Sequence, residues 1–214
     1  MTNWTNFFEN SNRTIFKQCF GNRRLIELVI ENTPPQGKIL EAGCGTAMLS
    51  LLLADSGYDV TAMDYTEEVL EYARKRCDLK SVKLDFVRGD IFDLSSYFKP
   101  DQFDTICHSG VLEHFSDEDI IKSLKEHKKV SRRVIFNIPN NRVKLTPDHF
   151  GDERLMSNNK WADLIRKAGY ATVKVYGGYD LPFFTNFILP GAFFKRRLSF
   201  WWKWMSAHSV FVCE

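Results

Sequence analysis

The sequence has no long apolar run. Its longest uncharged stretch, Leu181 to Phe194, holds two prolines and is shorter than the ~20 residues a membrane-spanning helix requires. It has no Cys-x-x-Cys pair. The five cysteines, Cys19, Cys44, Cys77, Cys107 and Cys213, are scattered and odd in number. That argues against a disulfide framework or a zinc site, and no metal ligands are expected. There is little charge imbalance: 29 basic and 27 acidic side chains leave a net charge of +2. This gives no electrostatic case for nucleic acid as a partner. The opening MTNWTNFFENSNR lacks a basic region followed by an apolar one, so no secretory signal is expected. Repeats and low-complexity tracts are missing too. With 214 residues, 44% hydrophobic and 26% charged, the chain is expected to be one cytoplasmic globular domain with a sizeable core.

What is present is an alternation of strand-like and helix-like runs. Strands are predicted over 38–43, 58–64, 82–88, 103–108, 133–138, 171–176 and 207–213. Helices are predicted over 25–31, 47–56, 67–77, 117–130 and 158–168, with Thr66 and Ser116 as caps and Gly57 and Gly169 as stops. Strand, helix, strand at this spacing implies right-handed crossovers and a parallel sheet with helices on both faces. Segments 1–20, 139–156 and 178–206 stand outside the alternation, as insertions where specificity elements sit.

The first predicted strand runs into a glycine turn, Glu41-Ala-Gly-Cys-Gly-Thr-Ala47. A Walker loop, GxxxxGK[ST], is absent. A dinucleotide turn, GxGxxG, would place its third glycine where Met48 stands, and a long side chain there is a poor match. Glu41, just before the turn, would repel a pyrophosphate. It suits a cationic ligand instead, such as one carrying a sulfonium and an ammonium. Asp64, at the end of the second strand, is placed to accept ribose hydroxyls.

The turn resembles the first motif, [DE]xGxGxG, of the class I S-adenosylmethionine-dependent methyltransferases, with Ala47 where glycine is commonest. Arg88-Gly89-Asp90-Ile91 and the run Cys107-His108-Ser109-Gly110-Val111-Leu112-Glu113-His114-Phe115 follow in the family's order. The VLEH run is similar to the small-molecule subgroup that includes quinone-biosynthesis methyltransferases. The match covers about residues 37–140, with a weaker echo in 160–175. The resemblance implies a three-layer α/β sandwich around a doubly wound, mostly parallel seven-stranded sheet with an antiparallel last strand. It implies S-adenosylmethionine as the cofactor, held by Glu41, Ala42, Gly43, Cys44, Gly45, Asp64, Tyr65, Asp90, Ile91, His108 and Ser109. In this reading residues 1–36 are a helical lid segment, 37–140 the cofactor core, and 141–214 the substrate-side half.

Direct displacement at a methyl group needs alignment more than machinery, and orientation alone supplies on the order of 7–11 kcal/mol. Candidate bases are His108, His149 in the insertion TPDHFGDER, and His114, which is more often structural at this place. The Asp/Asn-Pro-Pro-[Tyr/Phe] motif of amide methylases is absent after the fourth strand, which holds His-Ser-Gly-Val instead. That points away from nucleic-acid amines and toward a small-molecule acceptor. The segment 178–206 packs nine Phe and Trp residues beside Lys195, Arg196, Arg197 and Lys203. It reads as a lid over an apolar acceptor, as a peripheral membrane contact through 181–204, or as cover for a sheet edge or dimer interface. Trp4, Phe7 and Phe8 are candidates to help close the pocket. Two other classes compete. One is a nicotinamide-dependent oxidoreductase, against which Met48 and Glu41 count. The other is a non-catalytic S-adenosylmethionine-binding regulator. The acceptor's identity and the oligomeric state stay open.

Overall fold

The computed structural model describes residues 15–78, 82–142, 152–178, 206 and 208–214. His149, the aromatic residues 181–204 and Trp4, Phe7 and Phe8 lie outside the described residues. The elements run α1 (Ile15–Asn32), β1 (Lys38–Ala42), α2 (Met48–Asp55), β2 (Asp59–Asp64), α3 (Glu67–Asp78), β3 (Asp85–Arg88), β4 (Thr105–Ser109), α4 (Asp117–Val130), β5 (Val134–Pro139), α5 (Asn158–Lys167), β6 (Val173–Gly177) and β7 (His208–Cys213). Single 3₁₀ turns stand at Leu94–Ser96 and Leu112–His114.

The seven strands form one sheet in the order β3-β2-β1-β4-β5-β7-β6. β1 pairs in parallel with β2 and β4, and β4 with β5. β7 is antiparallel to both of its neighbours, β5 and β6. This is the expected sheet, antiparallel last strand included.

The sheet forms because its central strands are apolar on both faces. Four of the five β1 residues and all six of β5 are buried, as suits strands covered on both sides. Alternation then sorts the side chains. On one face Ile39, Cys107 and Ile135 pack with Leu25 and Val29 of α1 and Leu49 and Leu53 of α2. Ala62 of β2 packs on Leu70 and Ala73 of α3. On the other face Leu40, Ile106 and Phe136 meet Leu124 of α4 and Trp161 and Ile165 of α5.

α4 shows why such a helix forms. Its buried residues Ile120, Ser123, Leu124 and His127 recur at helical spacing. Ser116 caps it, its hydroxyl accepting from the Asp119 N–H at 3.1 Å. Asp117, Glu118 and Asp119 open the helix and His127, Lys128 and Lys129 close it, matching the helix dipole at each end.

Two boundaries differ from expectation by more than two residues. α1 extends over Ile15–Asn32, far beyond the apolar core 25–31 that marks it in the sequence. β3 is only Asp85–Arg88, the shortest strand, at the sheet edge.

Candidate functional site

Strand order reverses between β1 and β4, so the crossovers leave on opposite faces and a crevice opens at the C-terminal ends of these strands. The glycine turn, Asp64, Asp90 and the loop after β4 all lie on this edge.

The turn needs left-handed backbone three times: Gly43 at φ 75°, Gly45 at φ 51° and Ala47 at φ 52°. Gly43 also needs its missing side chain, since a Cβ there would lie 2.8 Å from a Val111 methyl of the β4 loop. The N–H groups of Gly43 and Cys44 both donate to the Met63 carbonyl, at 2.8 and 2.9 Å, and pin the turn to β2. Asp64 completes the junction. One carboxylate oxygen accepts from Gly45 N–H at 3.0 Å and the other from Thr66 N–H at 3.1 Å. The same carboxylate thus joins the glycine turn to the approach to α3. Burial raises its pKa, against the lowering effect of these N–H bonds.

Glu41 is 5% exposed and takes a different role from the one expected. Its Oε2 accepts from the Ser50 N–H at 2.8 Å and from the Ser50 hydroxyl. Ser50 lies in the first turn of α2, where N–H groups lack intrahelical partners, and the N-cap residue Ala47 has no side chain to serve them. A carboxyl from β1 fills that gap. Burial pushes its pKa up to about 8.

Ala42 and Cys44 are buried in and beside the turn, and burial holds the Cys44 thiol well above its usual pKa, as an inert structural cysteine. Tyr65 is the exposed member of the set, 58% accessible beside Asp64. Asp90 uses Oδ1 to accept from Phe92 N–H at 2.9 Å, a turn-forming bond that leaves its other oxygen for a ligand. Ile91 is half-buried against the core.

His108 calls for a correction. Its ring was expected at the cofactor edge as a base, yet it is 0% exposed. It stacks on Phe136, with centroids 4.8 Å apart, and meets His127 edge-on at 5.6 Å. Its pKa falls well below the usual histidine value, from burial first and His127 second. The reason is alternation: His108 shares a strand face with Ile106, which points into the core. Ser109, on the opposite face, does reach the crevice side, donating to Asn22 Oδ1 of α1 at 2.8 Å. His114 pairs with Asp152 at 2.8 Å, tying segment 152–156 to the loop after β4, rather than facing the sheet. Glu153 joins this pair within 4.8 Å, so a group of metal-ligating residue types, foreseen nowhere in the sequence, exists among the described residues.

Other buried polar positions near the turn and the β4 loop escaped the sequence. Ser50 was signalled only as a lone hydroxyl in an apolar helix. Glu113, 2% exposed with its pKa raised to about 8 by burial, sits inside the VLEH run without a foreseen role. Asn137, at the end of β5, is 6% exposed beside Ser109.

Two carboxyls, Asp64 and Asp90, and no cation in the turn suit a ligand with hydroxyl donors and positive charge better than a pyrophosphate. The fold is that of a doubly wound α/β protein, with these residues at the switch point of its strand order. Residues 39–133 match the family described as a methyltransferase domain. The ubiquinone biosynthesis O-methyltransferase of Actinobacillus pleuropneumoniae is 33% identical over 111 residues, 50% of this chain and 47% of that one. The mitochondrial enzyme of the same name from Schizosaccharomyces pombe is 33% identical over 104 residues, 47% of this chain and 37% of that one. The matches thus span half or less of these relatives. Among solved structures, a SAM-dependent methyltransferase from Aquifex aeolicus superposes with a TM-score of 0.69 at 12% identity, covering 100% of this chain and 98% of that one. Magnesium protoporphyrin IX methyltransferase from Synechocystis PCC 6803, with bound SAH, gives 0.64 at 15% identity, covering 98% and 91%. These likenesses establish the fold. Over residues 39–133 the chain is thus similar to S-adenosylmethionine-dependent methyltransferase domains.

Proposed function

We propose that this chain transfers a methyl group from S-adenosylmethionine to a small apolar or aromatic acceptor, with oxygen as the attacked atom. The observation that carries the reading is the Asp64 junction: a carboxylate at the switch point holds the glycine turn by Gly45 N–H and keeps acceptor capacity for ribose hydroxyls. The choice of oxygen draws on the relatives named O-methyltransferases. The aromatic content of 178–206 supports an apolar acceptor.

S-adenosylmethionine supplies an electrophilic methyl group on a sulfonium. The protein's residues bind, orient and exclude water. Asp64 and Asp90 hold the nucleoside end, and Gly43 and Gly45 let the backbone come close. Val111 and Ser109 border the far side, where the acceptor meets the methyl group. With His108 in the core, the acceptor's proton leaves to another group, and His149 remains a candidate for it. A cytoplasmic location and peripheral membrane contact through 181–204 belong to the same reading, the latter as an apolar route for the acceptor.

Calorimetric titration tests the cofactor half. S-adenosylhomocysteine binds in the micromolar range and raises the melting temperature, and NAD does neither. Binding of NAD alone would sink the proposal.

A further inference from the structure

Two asparagines stand three residues apart at the end of β5, and they differ. Asn140 is fully buried and fully engaged. Its Nδ2 donates to the Ser206 carbonyl at 2.8 Å and to Ser209 Oγ at 2.9 Å, and its Oδ1 accepts from Arg142 N–H at 2.9 Å. Asn137 is 6% exposed, and its Oδ1 has no hydrogen-bond partner among the described residues. A buried carbonyl left unpaired costs stability, so a chain that keeps one needs a reason.

Position supplies the reason. Asn137 is in register with Ser109 of β4, and the Gly110 N–H donates to the Asn137 carbonyl at 3.1 Å. Alternation puts its side chain on the face of Ile135, the α1 face, where the Ser109 hydroxyl also lies. This spot is on the crevice edge, beyond β4 and away from the nucleoside residues of β2 and β3. The end of β6 comes close on one side of it: a Cβ on Gly178 would stand 3.1 Å from Asn137 Oδ1 and 2.6 Å from the His208 Cβ, so only a glycine fits there.

We propose that Asn137 reads the methyl acceptor: its side-chain carbonyl accepts a hydrogen bond from an O–H or N–H that neighbours the attacked atom. This rests on the methyl-transfer reading above. The donor must be a second group, because an attacked hydroxyl gives up its own proton during transfer. The acceptor class is thus an aromatic or apolar molecule with two adjacent polar groups, one methylated and one held by Asn137.

The test uses the full chain, radiolabelled S-adenosylmethionine, and catechol, 2-aminophenol and phenol as probes. The wild type is expected to favour the two ortho-substituted probes over phenol by at least tenfold in kcat/KM. Asn137→Leu should erase that preference, while S-adenosylhomocysteine affinity stays within twofold and the melting temperature holds or rises. Three results would overturn the assignment: an unchanged preference in N137L, a melting temperature lowered by several degrees with weaker S-adenosylhomocysteine binding, or a wild type that turns over none of the probes or prefers phenol. S-adenosylhomocysteine binding by the wild type is read separately, so failure of Asn137 is distinguishable from failure of the methyltransferase reading.

Discussion

The carboxyl of Glu41, on the first strand, caps the helix that follows the glycine turn by accepting from both the N–H and the hydroxyl of Ser50. The bond has a pH signature. Burial raises the Glu41 pKa to about 8, above its ordinary 4.5. A group whose folded pKa is raised contributes stability that is present below the unfolded pKa and is lost as pH rises through the folded one. Glu113, also raised to about 8, adds in the same direction. The contribution of these two carboxyls to the stability of the ligand-free protein should therefore fall between pH 4.5 and 8, and Glu41→Gln should remove its part of that slope. Melting curves at half-unit pH steps check this; equal slopes in the two proteins would remove Glu41 as a cause. Ser50→Ala removes one of the two bonds and should cost about 1 kcal/mol.

Ala47 holds φ 52° and ψ 26° at the start of α2, a conformation costly for a residue with a Cβ. Ala47→Gly should stabilise the protein by about 1 kcal/mol, or ~2–4 °C in a chain of this size. Differential scanning calorimetry reads the shift. A lower melting temperature would show that the turn does not keep this backbone in solution.

Asp64→Ala removes the joint between the turn and the approach to α3 and any bond to ribose. Affinity for S-adenosylhomocysteine should drop at least tenfold while the circular dichroism spectrum stays native. Isothermal titration gives the answer, and unchanged affinity would take Asp64 out of the site. Asp64→Asn, which keeps one acceptor oxygen, should fall between the two.

His108 and His127 are buried and neutral, His127 with its pKa lowered to about 4 by burial. For a lowered folded pKa the contribution is full above the unfolded value, near 6.5, and is lost as pH falls through the folded value. The contribution of this pair should thus be lost progressively from about pH 6.5 toward 4, opposite in sign to that of Glu41 and Glu113, and is read as the difference between wild type and variant. Both His108 ring nitrogens lack hydrogen-bond partners among the described residues, and the ring already stacks on Phe136. His108→Phe should keep the packing, lessen the acid sensitivity and leave S-adenosylhomocysteine binding intact. Loss of methyl transfer with full stability and binding would return His108 to the chemistry.

The sheet was legible because apolar runs of strand length alternate with helical spacing. The glycine turn was legible because Gly43 and Gly45 directly follow an apolar strand and precede an apolar helix. Side-chain direction was harder. His108 lies one residue from Ser109, and the two face opposite layers. The pattern Ile106-Cys107-His108-Ser109 contained that answer through its period of two, but motif order drew attention to the histidine. Glu41 looked free for a ligand because its partner, Ser50, is nine residues away on the next element. Asn137 could not be singled out, since nothing local separates a satisfied asparagine such as Asn140 from an unsatisfied one.

β7 lies between two strands made before it. The outer edge of β5 and the inner edge of β6 both wait for residues 208–213, some seventy positions after β5 begins. Pairings across so long a span form late, because closing the loop comes before any reward from contact. During synthesis, then, the nucleoside half of the crevice has all its strands before the half that includes β5 is sealed, and Asn137 is enclosed only when Val210 pairs beside it. A chain interrupted before His208 would leave two open sheet edges, the kind of surface that recruits another chain.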